Sequence, residues 1–134
     1  MALEHNYIGS YRLLKVIRAG ATCQIWEVIS EIDNRRCALK TLQERYRGDK
    51  GEIGLLRHEY TVGHQLHHPR VIEIYDFNIS KGIPYLAMEY FESYNLKQWI
   101  RQTSDTSQNR RWLPNIIRHC AEALAYLHEH GWVH

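Results

Sequence analysis

Two charged residues stand in settings that favour apolar ones. Lys40 lies inside Cys37-Ala38-Leu39-Lys40-Thr41-Leu42, on the strand face it shares with Ala38, because strand side chains alternate. Glu59 falls on a helical stripe with Leu55, Val62 and Leu66, at steps of four, three and four. Lysine and glutamate are rarely buried unless paired, since a lone charge out of water is costly. An ion pair between the strand and the helix would satisfy both. Such a pair is poor evidence for stability, so it would point to a site. On spacing alone the alternative is that Glu59 sits at the edge of the stripe and Lys40 snorkels outward.

Other chemistry-bearing residues are less well placed. His64, His67 and His68 cluster at the end of the helix, with no cysteine or carboxylate positioned to complete a metal site, so no metal is expected there. The three cysteines, Cys23, Cys37 and Cys120, lie far apart without a Cys-x-x-Cys spacing, which fits a reducing compartment. Cys23 falls in a loop, and its neighbours carry no clear mark of reactivity.

The elements that must hold Lys40 and Glu59 follow from periodicity. Tyr-Arg-Leu-Leu-Lys-Val-Ile-Arg-Ala from Tyr11, Thr-Cys-Gln-Ile-Trp-Glu-Val-Ile-Ser from Thr22, and Arg-Arg-Cys-Ala-Leu-Lys-Thr-Leu to Leu42 read as three consecutive strands. A helix is expected over roughly 52–67, stopped at His68-Pro69 because the residue before proline is pushed out of helical geometry. Two more strands flank Ser80-Lys81-Gly82, a hairpin signal. Beyond Phe91 the pattern is helical. A short helix is expected in Asn-Leu-Lys-Gln-Trp-Ile-Arg-Gln, then a polar connection. A longer amphipathic helix follows, carrying Leu113, Ile116, Ile117, Cys120, Ala123, Leu124 and Leu127, with Pro114 near its start and Gly131 just past its end. The fold class is α+β: a five-stranded antiparallel sheet with one helix, then further helices.

Composition narrows the function. At 134 residues, with 44% hydrophobic and 24% charged residues, the chain has ordinary globular composition. A net charge of +2 is too small to imply a nucleic-acid or membrane partner. No signal peptide, N-myristoylation pattern or membrane-length apolar run is visible, and a cytoplasmic protein is expected.

At this point the sequence resembles the eukaryotic-type protein kinases, in the bacterial Ser/Thr style. Cys37-Ala38-Leu39-Lys40 is similar to the family's Val-Ala-Ile-Lys strand, and Glu59 stands where the family places the glutamate that pairs with that lysine. Leu-His-His-Pro-Arg-Val-Ile resembles the family's His-Pro-Asn-Ile-Val stretch. Tyr-Leu-Ala-Met-Glu-Tyr-Phe is similar to the fifth strand and hinge, with Met88 as gatekeeper and 89–91 as the hinge. Ala-Glu-Ala-Leu-Ala-Tyr-Leu-His-Glu-His-Gly-Trp-Val-His looks like the long helix running into the catalytic loop, with His134 as the first residue of His-Arg-Asp.

The resemblance implies an organisation. Residues 1–10 would be a tail, 11–91 the N-lobe and hinge, and 92–134 the start of the helical lobe, cut within the catalytic-loop motif. It implies ATP as cofactor, with Mg2+ in the complete domain. Lys40 would contact the α- and β-phosphates, Glu59 would hold Lys40, and Ile17, Ile25, Ala38, Ile72 and Met88 would line the adenine pocket. Gly20 would belong to the phosphate loop, and the backbone of Glu89 and Phe91 would bond adenine. The loop departs from the family pattern Gly-x-Gly-x-x-Gly: Arg18 and Cys23 replace the first and third glycines.

The expected function is the ATP-binding portion of a protein Ser/Thr kinase, inactive as 134 residues alone because the catalytic aspartate would follow His134. The alternative is a non-catalytic, pseudokinase-like module that binds nucleotide or protein. A related small-molecule phosphotransferase fits the hinge and His-Pro stretches less well. The protein substrate is not legible. The apolar face of the last helix, meant for a larger lobe, is expected to promote association.

Overall fold

The computed structural model describes residues 6–102 and 106–133. His134, the expected start of the catalytic loop, lies outside the described residues.

Strand-forming, β-branched and aromatic residues dominate the first half. They form β1 (Tyr7–Ile8), β2 (Tyr11–Ala19), β3 (Cys23–Ser30) and β4 (Arg36–Leu42), followed after a helix by β5 (Ile74–Ser80) and β6 (Ile83–Glu89). The order across the sheet is β1-β2-β3-β4-β6-β5, every pair antiparallel. The sheet has six strands, one more than expected. The addition, β1, is a two-residue pairing of Tyr7 with Arg12 and Ile8 with Tyr11, inside the segment expected to be a tail. Ile8 is buried there, which explains why the chain doubles back. The β5–β6 turn puts Lys81 at φ 48° and Gly82 at φ 78°, the pair of left-handed residues that matches strand twist in a two-residue hairpin.

Cross-strand partners share a face, and the register sorts the side chains into two clusters. Val28 lies opposite Cys37, and Leu39 opposite Ala87; these four join Ile8, Tyr11 and Tyr85 in one buried group. Burial here pushes the Tyr11 hydroxyl up to about 12 and raises the Cys37 thiol. On the other face Leu42 and Leu86 meet the helix through Leu56, with Ile53, Tyr60, Ile74 and Phe77 around them.

That helix, α1 (Lys50–Gly63), starts at Asp49, whose carboxylate accepts from the backbone N–H groups of Gly51 at 2.8 Å and Glu52 at 3.1 Å. It begins two residues before the expected start and ends four before the expected stop. Its buried stripe is also shifted by one position. Ile53, Leu56, Tyr60 and Gly63 face the sheet, whereas Leu55 is 65% exposed. Glu59 sits at the border of the stripe, half-exposed. Gly63 allows a close approach: a Cβ there would press on Ile74, 3.0 Å from its Cγ1.

The backbone divides into two compact units, one of residues up to 67 with 72–91, the other of 68–71 with 92 onward. The second holds α2 (Leu96–Gln102) and α3 (Thr106–Glu129). Asn95 opens α2 with a reciprocal cap: its Oδ1 accepts from Gln98 N–H at 2.8 Å, and its own N–H donates to Gln98 Oε1 at 3.1 Å. Helix α3 begins eight residues before Pro114, in what was expected to be a polar connection, and carries that proline inside it. Proline removes one helical hydrogen bond, but no glycine interrupts the run before it, so the helix continues through. As expected, Gly131 lies just past its end at Glu129, with φ 81° and the Trp132 N–H returning to the Leu127 carbonyl at 2.9 Å. The segment 68–71 packs on α3: His68 and His130 flank the Tyr126 ring at 4.9 and 4.2 Å between centroids.

Candidate functional site

Strand alternation and helix phase bring the two charges together. Lys40 Nζ donates to Glu59 Oε2 at 2.7 Å, with the side chains 26% and 41% exposed. The pair is therefore not sealed in the core. It opens to a cavity of about 300 Å3 lined by Arg18, Gly20, Ala21, Thr22, Cys23, Ile25 and Lys40. A lysine held by one carboxylate while still facing solvent can offer its remaining donors to an anion.

Of the other expected site residues, Ile25 lies directly opposite Lys40 on the neighbouring strand, and Ala38 opposite Met88. Ile25, Lys40, Ala38 and Met88 thus occupy one sheet face, with small Ala38 between larger neighbours. Gly20 lines the cavity. Ile17 and Ile72 are half-exposed, and Phe91 is 66% exposed; none of these three lines this cavity, nor do Ala38, Met88 and Glu89. The Glu89 N–H is already used, donating to the Glu73 carbonyl at 2.8 Å, while the Glu89 carboxylate accepts from the Glu73 N–H at 3.1 Å.

Two features carry no sequence signal. The β2–β3 loop is tied down from outside. Gln43 N–H donates to the Thr22 carbonyl at 2.8 Å, Gln43 Nε2 to the Gly20 carbonyl, and Arg45 Nη2 to the Ala21 carbonyl at 3.3 Å. The loop also closes on itself through Gly20 N–H to the Cys23 carbonyl at 2.8 Å. A Cβ on Gly20 would meet only the Cys23 carbonyl oxygen at 3.5 Å, an ordinary contact. The second feature is Glu27, only 5% exposed and opposite Ala38. Arg36 Nε donates to its Oε1 at 2.6 Å, and Lys15 Nζ stands 3.5 Å from Oε2. Arg36 also lies over the Tyr90 ring at 4.0 Å and donates to its hydroxyl at 3.2 Å, anchoring that residue to the sheet. Both features join residues distant in sequence through single side chains, which periodicity does not register.

The clustered histidines go to separate partners. His64 stacks on Tyr60, His67 Nδ1 lies 3.8 Å from Glu73, and His68 packs on Tyr126. Trp26 packs against the core, and Trp112 is 54% exposed. Among the described residues no helix is long and apolar enough to cross a membrane.

A curled antiparallel sheet with a lysine–glutamate pair on its helix-covered face defines a class, and comparison with known proteins gives the same class. A sequence profile described as the protein kinase domain matches residues 11–134, and the chain belongs to that family. It is 31% identical over 134 residues to the Ser/Thr protein kinase PrkC of Bacillus subtilis, spanning all of this chain and 20% of that protein. It is 28% identical over 131 residues to PknA of Mycobacterium tuberculosis, spanning 94% of this chain and 30% of that protein. Among solved structures, the PknI kinase domain of Mycobacterium tuberculosis superposes with a TM-score of 0.73 at 21% identity, over 96% of this chain and 52% of that one. The chain thus spans under a third of these two relatives and about half of the crystallised kinase domain.

Proposed function

We propose that the chain is the ATP-binding portion of a protein Ser/Thr kinase, with the nucleotide held on the sheet face that carries Lys40. The observation that supports this most directly is the 2.7 Å Lys40–Glu59 pair opening to a cavity. Glu59 fixes the direction of the Lys40 ammonium, and Lys40 takes the α- and β-phosphates. Ile17, Ile25, Ala38, Ile72 and Met88 enclose adenine. The engaged Glu89 N–H leaves the Glu89 carbonyl and the Phe91 backbone to bond its edge. The residues present fit the phosphate end of such a ligand: a directed cation over open space.

These residues orient a phosphoryl donor. In the complete domain Mg2+ neutralises the phosphates, and an aspartate accepts the hydroxyl proton. In this reading the 134 residues supply the donor-binding part, and phosphate transfer belongs to the complete domain. A protein hydroxyl is the acceptor in this reading, which rests on the relatives named as Ser/Thr kinases.

Calorimetric titration with ATP tests the reading. The wild-type chain is expected to bind, and Lys40→Met to bind about tenfold or more weakly, as for a lost charge-assisted hydrogen bond. Unaltered affinity in Lys40→Met, or no binding by the wild type, would sink it. A second reading, a non-catalytic nucleotide- or protein-binding module, is favoured by the glycine-poor loop. It predicts no phosphate transfer even by a longer chain that continues through His-Arg-Asp.

A further inference from the structure

Strand β2 carries two register shifts, one between Leu13 and Lys15 and one between Val16 and Arg18. Each inserts a residue without a partner and so changes which side chains reach a given face. Before the shifts, Tyr11 and Leu13 pair with Ser30 and Val28 and join the core on one side. After the first, Lys15 pairs with Glu27, and after the second, Arg18 pairs with Ile25. Ile25 in turn pairs with Lys40, so Arg18, Ile25 and Lys40 form one row across three strands on one face. At the usual strand spacing, the α-carbons of Arg18 and Lys40 lie about 10 Å apart across the sheet. Both side chains line the same cavity.

The two cations differ in their company. Lys40 is held by Glu59, whereas Arg18 has no carboxylate within ion-pair distance among the described residues. In the loop beside it the Gly20 N–H is spent on the Cys23 carbonyl, and the Gly20, Ala21 and Thr22 carbonyls are anchored by Gln43 and Arg45. One backbone donor that a glycine loop would offer to a phosphate is thus already engaged.

We infer that Arg18 is a phosphate-binding residue, forming with Lys40 a two-cation clamp that takes over from the backbone cradle in recognising the polyphosphate of a nucleotide. The inference rests on the nucleotide-binding reading above and adds to it the group that recognises the outer phosphates. A guanidinium suits the task, since its planar fork bonds two phosphate oxygens at once.

The test is calorimetry on the full chain with adenosine, AMP, ADP and ATP, comparing wild type, Arg18→Gln and Arg18→Lys. Arg18 is exposed, so the variants are expected to fold, which circular dichroism checks. In the wild type, affinity rises with phosphate number and falls with salt. In Arg18→Gln, ATP and ADP bind about tenfold more weakly and adenosine is unaffected; Arg18→Lys recovers part of the loss. Equal affinity of wild type and Arg18→Gln for every ligand overturns the clamp and leaves the nucleotide reading standing. Tighter binding of adenosine to Arg18→Gln overturns it too, by showing that Arg18 covers the base site. A wild type that binds none of the four overturns both.

Discussion

The two units of the chain are built to different standards of burial. In the sheet unit, Val28, Leu39, Leu86 and Ala87 are wholly inaccessible, and two apolar clusters lie on opposite faces of the sheet. In the helical unit, none of residues 68–71, 92–102 and 111–133 is classed as buried. Leu96, Ile100, Trp112, Leu113, Ile117 and Leu124 are each exposed by 40% or more. The sheet unit thus has a buried apolar core on both faces, although Leu14, Ile17, Leu55 and Ile79 remain exposed around it. The described part of the helical unit has no such core, and its exposed stripe is the kind of patch that marks an interaction surface. The candidate site follows the same division, since every residue lining its cavity belongs to the sheet unit.

The largest test of that contrast is cavity formation. Leu39→Ala removes a side chain with no exposed surface and is expected to destabilise the sheet unit by about 2–5 kcal/mol. The equivalent Leu124→Ala, on the exposed stripe, is expected to stay within about 0.5 kcal/mol. Urea titration followed by tryptophan fluorescence measures both. Similar losses at the two positions would mean that the helical unit has a core of its own.

A smaller effect is expected where α1 meets β5. Alanine is favoured over glycine inside a helix by about 1 kcal/mol, yet at Gly63 its Cβ would press on Ile74. Overpacking of this kind typically costs about 1–3 kcal/mol, so Gly63→Ala should destabilise by about 1 kcal/mol net. Ile74→Val trims the atom nearest the new Cβ, and the double variant should regain most of the loss. A stabilised Gly63→Ala would show that helix and strand are packed less closely than the structure has them.

Much of the sheet was legible because apolar alternation and turn residues are local signals. The helix was harder to phase. The steps four, three and four that link Leu55, Glu59, Val62 and Leu66 have a competitor one position away in Ile53, Leu56, Tyr60 and Gly63. Only packing decides between them, and it buries Leu56 and leaves Leu55 exposed. The meeting of Lys40 with Glu59 could be read from their misfit with apolar neighbours, which marks each separately. The register shifts of β2 could not, because an inserted residue leaves no trace in composition; yet they put Arg18 in the row with Lys40. The ties from Gln43 and Arg45 to the loop, and from Arg36 to Glu27 and Tyr90, depend on which way single long side chains turn.

The smallest effect on stability should have the clearest effect on assembly. Leu113, Ile117, Cys120 and Leu124 recur at steps of four, three and four along α3, and all four are exposed. One helix face thus carries apolar area that nothing in the described residues covers. Ile117→Gln with Leu124→Gln should change unfolding free energy by less than about 1 kcal/mol, since exposed positions contribute little. Association should respond differently, because the free energy of joining two such faces scales with the apolar area they hide, at about 25 cal/mol per Å2. Sedimentation velocity of the 134-residue chain is expected to show concentration-dependent oligomers that shift toward monomer in the double variant. A wild type that sediments as a monomer at all concentrations would remove the distinction between the two units, because the stripe would then be no more adhesive than the rest of the surface.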